Sequence, residues 1–379
     1  MAQFIDWGNG HDGSPNSISG TINTYATMTG TSGSTTVTTN LSVDIGDLIL
    51  LIQSQGSGVG NWEVVHVVST GSGSFTADRA LVNSYGTGAQ AVLIPQYTSG
   101  TISETLTTYS WDGSVGGIGA LACNGPLTFS GNWFNTGGDG SSFSSPGGRS
   151  GKGTGGGFRG GDGYTGNGDD GPASQGEGTS GYGTYSRSAN GNGGGAGGDG
   201  TNAGSGAGGG NGTDGNDGNG TGKGTKGASA GNAELTNMVF GGGGGGGSKR
   251  YSYAASGGGS GGGIILLFVK ELKVSSSATI TVNGGKGGTT PNYGVAGGGG
   301  AGGSILIKCR SADLGSNKVW AAHGEGGLAG ENGLAGGNGA LGRIHCDYYS
   351  SVTGTTYPDL DSKQDSTLTV PSGGFFAFM

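Results

Sequence analysis

Charge is scarce in this chain. Lys and Arg together number 17 and Asp and Glu 25, only 11% of 379 residues, and the net charge is -8. An acidic chain without a basic cluster is a poor partner for nucleic acid, whose binding is mostly phosphate neutralisation. The single arginine-glycine motif, Phe158-Arg159-Gly160-Gly161, is not repeated, so no nucleic-acid role is expected. Proline is also scarce, with 8 residues and none among positions 324–342, which argues against collagen despite the glycine there. The three cysteines, Cys123, Cys309 and Cys346, are an odd number without C-x-x-C spacing, so they make no disulfide framework. His345-Cys346 with Cys309 can be sketched as a metal site, but small buried strand residues are the simpler expectation.

Long apolar runs are missing as well. The longest covers residues 264–269, far short of the ~20 needed to span a membrane. The opening Met1-Ala2-Gln3-Phe4-Ile5-Asp6-Trp7 has neither the basic stretch nor the apolar core of a secretory signal. A virion protein, freed by lysis, needs none, so a virion or extracellular-surface location is expected. Catalytic signatures are missing too. The four histidines, His11, His66, His323 and His345, lie in no recognisable nucleophile or zincin motif, and no enzyme is expected. Asp214, Asn216, Asp217 and Asn219 resemble a calcium loop, but ligand order and the distant glutamate do not match. A solvated turn is the expectation there, and no cofactor.

Glycine is what the chain has: 98 residues, in runs and in register. Residues 241–247 are seven glycines in a row, and from Gly324 to Gly342 a glycine falls at every third position. Ordering glycine costs more backbone entropy than ordering any other residue. So much of it in register means either a flexible linker or a backbone shape that needs the missing side chain. Interleaved strands favour the second. Apolar runs at residues 48–52 and 91–94 and the β-branched run 62–68 read as strands of an N-terminal β domain, residues 1–112. A repeat follows over 113–347, with strands starting near Ile118, Ile264, Ile305 and Ile344 at spacings of 41 and 39 for the last three. Each unit reads as strand, turn, strand and glycine excursion. A tail, residues 348–379, completes the chain.

For the excursions, polyglycine II is the expected conformation: three residues per turn, ~3.1 Å rise, no internal hydrogen bonds, and hence lateral pairing with neighbours. The seven-glycine run, ~22 Å long at that rise, fits the interior of a bundle. Residues 324–342 fit one helix at its edge, with Leu328, Leu334 and Leu341 on the faces without glycine. The fold class expected is all-β: short-strand repeats interleaved with a polyglycine II helix bundle, plus the N-terminal β domain.

This alternation of short strands and glycine excursions resembles the receptor-binding tail-fibre adhesins of T-even-like phages, in which polyglycine II helices pack as a sandwich. It also resembles the glycine-rich extracellular domain of the anaplastic lymphoma kinase receptors, and the opening Trp7-Gly8-Asn9-Gly10-His11-Asp12-Gly13 is similar to glycine-rich bacterial surface proteins. The phage resemblance implies a non-enzymatic virion fibre or tip adhesin that binds a host surface glycan or protein. Tyr164, Tyr182, Tyr185, Tyr251, Tyr253 and Tyr293, set among glycine and serine, are the candidate receptor contacts. The same tyrosines also suit capping of the bundle ends, with a buried ring and an exposed hydroxyl. The alternative reading is a subunit of an extracellular bacterial or archaeal filament or matrix. It rests on self-association through the apolar end, Phe375, Phe376 and Phe378.

Overall fold

The computed structural model describes residues 7–142, 155–164, 173–198, 203–249 and 255–368. Apart from one short 3-10 turn, η1 (Pro15–Ser17), its regular structure is β. Six antiparallel strands close a barrel in the order β2 (Tyr25–Gly30), β3 (Thr36–Thr39), β6 (Ser74–Ala77), β5 (Trp62–Gly71), β4 (Leu48–Gln53) and β7 (Ala89–Ile94). Every residue of β4 is buried. Its side chains alternate between two cores, because one pleat face looks into the barrel and the other looks out onto a second sheet. Ile49 and Leu51 join Met28, Val37, Phe75 and Tyr85 inside the barrel. Leu48, Leu50 and Ile52 pack against Ile118, Ile264, Leu266 and Leu306 of the second sheet.

That second sheet is parallel throughout. Its first row stacks β8 (Gln96–Tyr97) and β9 (Gly100–Ile102) on β11 (Ile118–Phe129), then β13 (Ile264–Val274), β15 (Ser304–Trp320), β16 (Arg343–Tyr357) and β17 (Asp361–Gln364). A second row stacks β1 (Gly20–Thr21), β10 (Leu106–Thr107), β12 (Trp133–Phe134), β14 (Ile280–Thr281) and the ends of β15 and β16. Leu121, Leu267 and Ile307 from the first row meet Leu106, Trp133 and Ile280 from the second in one core. The repeat expected from sequence is therefore a stack of coils. The in-register ladder is Ile265, Ile305 and Ile344, so the unit begins one residue after Ile264. Residues 96–107 belong to the stack by pairing, although they lie on the N-terminal side of the repeat.

Between coils the chain leaves the sheet along glycine arms and returns. Residues 283–289 go out and 295–303 come back, with Gly300 donating to Gly285 at 2.9 Å. Residues 322–329 and 334–342 repeat this, with Gly339 donating to Gly324 and Gly336 to Gly327, both at 2.9 Å. The expectation of one continuous helix over 324–342 is thus corrected: a turn at 330–333 folds it into two antiparallel arms. Gly330 and Gly333 continue the three-residue register through that turn, since a tight turn takes glycine as readily as an arm does.

Residues 241–247 sit at the centre of these arms and bond to six segments with a period of three. Amides of Gly241, Gly244 and Gly247 donate to Gly262, Gly259 and Ser256; those of Gly242 and Gly245 donate to Gly210 and Ala207; those of Gly243 and Gly246 donate to Glu177 and Ser174. Carbonyls of Gly242 and Gly245 accept from Ala301 and Gly298; those of Gly243 and Gly246 accept from Gly194 and Gly197; those of Gly244 and Gly247 accept from Gly161 and Tyr164. All these bonds span 2.8 to 3.2 Å. A Cβ on Gly244 would collide with the carbonyl of Gly298, and one on Gly258 with the carbonyl of Gly244. Backbone pairing, with side chains excluded, holds this part of the molecule.

Barrel, sheet and arms meet at an aromatic seam. Phe240 lies 5.3 Å from Trp111 and 5.2 Å from Phe158 between ring centroids, the second pair edge to face at 85°. All three rings are buried.

Candidate functional site

The arms end in turns on the side away from the strands. Ser256 lies eight residues before the start of β13, Gly247 donates to it, and Tyr164 donates to Gly247 at 3.2 Å. Ser256 in turn donates to Val295, the residue that follows the turn 291–294. Tyr164 and Tyr293 therefore share the far end. The turn 291–294 closes through Gly294 donating to Pro291 at 3.0 Å and stacks on the turn 330–333 of the next coil. Tyr293 donates to Glu331 at 2.8 Å, and the amide of Glu331 donates to Asn292 Oδ1 at 2.9 Å.

The two stacked turns are the same device with different residues at the key position. Tyr293 has φ 60° and its counterpart Asn332 has φ 55°. Asn tolerates this left-handed region, whereas a bulky ring there is strained by ~1 kcal/mol or more. The strained position carries a ring that is 43% exposed, and the neighbouring coil exposes Leu328 at 72%. An amphipathic ring is thus exposed at this end on a turn bonded through its backbone to the next coil, the usual make-up of a contact residue.

The other candidate tyrosines lie elsewhere. Tyr182, 56% exposed, is on the barrel side, where Gly56 of the barrel donates to Thr179 at 3.1 Å; Tyr185, 75% exposed, lies between Thr184, which accepts from Gln175, and Ser186, which accepts from Ala196, along the arms. Arg159 lies 5.1 Å from the centroid of the Tyr182 ring. It is also paired with the buried Glu177 at 2.8 Å, so the arginine of the lone arginine-glycine motif is committed to internal structure. Desolvation opposes the Arg159 charge, but the hydrogen bond and charge of Glu177, with Tyr182 and Asp112, together outweigh it and the pKa is raised. Tyr251, Tyr253, Phe375, Phe376 and Phe378 lie outside the described residues.

Asp214 and Asp217 each face a lysine. Asp214 pairs with Lys226 at 3.1 Å and accepts from the amide of Ser229; Asp217 pairs with Lys223 at 2.9 Å and accepts from the amide of Lys226. Their pKa values are lowered, first by the Ser229 amide for Asp214 and by Lys223 for Asp217. Two ammonium groups on these oxygens do not fit calcium, which takes six to eight oxygen ligands. The sketched His345, Cys346 and Cys309 set does not converge either. Cys309 and Cys346 lie in the core between the two rows, 3.7 Å apart at sulfur, while His345 is on the other face of its strand beside Leu306. Among the described residues no group of three or more His, Cys, Asp or Glu could hold a metal ion.

One charged cluster escapes a reading of the sequence. His345 Nδ1 is 2.7 Å from Asp361 and Nε2 is 3.1 Å from Asp347, which pairs with Lys308 at 2.8 Å. Burial opposes a charged imidazole, but the two carboxylates outweigh it and raise the pKa of His345. Burial works against the Asp347 carboxylate too, yet His345 and Lys308 hold its pKa down to about 2. Both ring nitrogens are occupied by carboxylates, so the imidazole is placed as a structural cation rather than as the base of a hydroxyl or thiol. The i, i+2 spacing of His345 and Asp347 is visible in sequence; Asp361 arrives only through the register of β17.

No protein-family model matches this chain, and no curated protein matches it. Among the described residues no helix is long and apolar enough to cross a membrane.

Proposed function

We propose that the glycine arms are polyglycine II helices and that the chain is a non-enzymatic virion structural protein, a fibre or tip adhesin. The six-neighbour bonding of residues 241–247 carries this reading. Donors to three segments and acceptors from three others, repeating every third residue, are what a three-residue-per-turn helix needs when it has no internal bonds. Such a bundle is stiff, because every arm is tied to its neighbours by backbone. Its far end then acts as a platform, and the strained Tyr293 with Tyr164 supplies the contact surface for a host glycan or protein.

The test uses the labelled full-length chain on a panel of bacterial cells. Binding to at least one strain, lowered about tenfold or more by Tyr293→Ala with Tyr164→Ala while thermal unfolding is unchanged, supports the reading. Undiminished binding by the double variant refutes the far-end assignment. Regular fibres of the purified chain in negative-stain electron microscopy would favour the filament subunit instead.

A further inference from the structure

We infer that the chain carries a second binding site, a groove for a neutral oligosaccharide between the barrel and the turn at residues 178–181. The groove, of about 580 Å³, is lined by Gln53, Gln55, Ser57, Tyr85, Thr87 and Ser180 among others. A hollow of about 430 Å³ adjoins it, shares Gln55 and Thr87, and adds Thr27, Thr29, Thr38 and Asn40. Volumes of this size suit small ligands.

The lining has a chemical character. None of the residues lining either hollow is Asp, Glu, Lys or Arg, although the chain has 42 of them (17 + 25). Behind the walls, Glu177 is paired with Arg159 at 2.8 Å and Glu63 accepts from the Tyr85 hydroxyl at 3.1 Å. A phosphate or carboxylate ligand would meet no cation. The Gln53 and Gln55 amides are spent on internal bonds, so the exposed hydroxyls of Ser57, Thr87 and Ser180 are what the groove offers, each a donor and an acceptor, which matches the hydroxyls of a sugar. At the rim, Tyr182 follows the lining residue Gly181 and is 56% exposed; its ring is shared with Arg159, 5.1 Å from the centroid, and in this reading its exposed part meets the C–H face of a pyranose.

The walls are built before any ligand arrives. The Gln53 amide donates to the carbonyls of Gln55 and Thr87 at 2.6 and 2.8 Å and accepts from Gly86 at 3.0 Å. Gln55 crosses the groove floor to Glu177 and Gly178 at 3.0 and 3.1 Å. A pre-formed polar groove loses little freedom on binding. The site goes beyond the far-end reading, since it lies on the barrel side and shares no residue with the turn that holds Tyr293.

Saturation-transfer NMR on the full-length chain tests it, with neutral oligosaccharides of glucose, galactose and N-acetylglucosamine set beside sialylated and phosphorylated ones. Neutral sugars should bind, with little dependence on salt. Tyr182→Ala should weaken binding by about tenfold, Ser57→Trp should abolish it, and Tyr293→Ala should leave it unchanged, all with wild-type thermal unfolding. The inference falls if no neutral sugar binds, if only charged sugars bind, or if binding survives both groove variants. Loss of binding in Tyr293→Ala alone would move the sugar site to the far end.

Discussion

The amide of Gly244 donates to the carbonyl of Gly259 at 2.9 Å, across a gap that no side chain enters. The same glycine accepts from Gly161, and its missing Cβ would overlap the carbonyl of Gly298. Gly244→Ala must therefore push backbone against backbone in the centre of the bundle. A loss of about 3 kcal/mol is expected, at the upper end of ordinary overpacking costs. Gly86 has no atom within 4 Å of its would-be Cβ and no positive φ, so Gly86→Ala is the matched control. Denaturant unfolding checks the pair: equal stability of the two variants would show that glycine is present at 244 for some reason other than packing.

Much of the core was legible in sequence. The run at residues 48–52 lacks alternation because both its faces are covered, and the spacing of the later strands marks the coil length. The turn at 330–333 was not legible, because glycine suits arm and turn alike and its period runs on unbroken. Nor was the pairing of β8, β9 and β10 with the parallel stack, since partner choice there follows from stacking between distant segments. At the candidate site, composition pointed to tyrosines but could not separate them. Tyr293 lies at the far end and Tyr182 at the barrel because of which way each arm runs.

Cys123, Cys309 and Cys346 are all fully buried. The contact with Cys309 and then burial push the Cys346 thiol up, and burial raises Cys123. Thiolate is the reactive form, so both factors oppose reaction. Native protein at pH 8 should give no prompt colour with Ellman's reagent, and three equivalents after denaturation. A fast native equivalent would contradict this packing.

The His345 cluster sets a pH dependence. The folded pKa of His345 is raised, so its contribution is full below the unfolded value of about 6.5 and fades as pH rises through the folded value. Asp347 has the opposite sign: held at about 2, it contributes above the unfolded value of about 3.9 and loses that as pH falls. The stability gap between wild type and His345→Gln should thus be widest from about pH 4 to 6.5 and shrink at alkaline pH. A gap that widens steadily above pH 7 would mean that the imidazole is neutral in the fold.

Phe240 sits where the barrel side meets the central glycines. It follows the segment in which Leu235 accepts from the indole of the barrel residue Trp62 at 2.8 Å, and it leads into the central glycines. Its ring contacts Trp111 and Phe158, and its carbonyl accepts from Asn192 Nδ2 at 3.0 Å. Phe240→Ala removes the ring but keeps that carbonyl, so it isolates the packing term. The cost should be about 3 to 5 kcal/mol, as for other buried Phe truncations. Trp111 should also shift to longer emission wavelength as water reaches the seam, measured in a chain whose other tryptophans are replaced by Phe. A full cost with unshifted Trp111 emission would mean that the arms collapse onto the vacated space. A cost below ~1 kcal/mol, far under the usual range, would mean that the Phe240 ring is not what seats the bundle on the barrel.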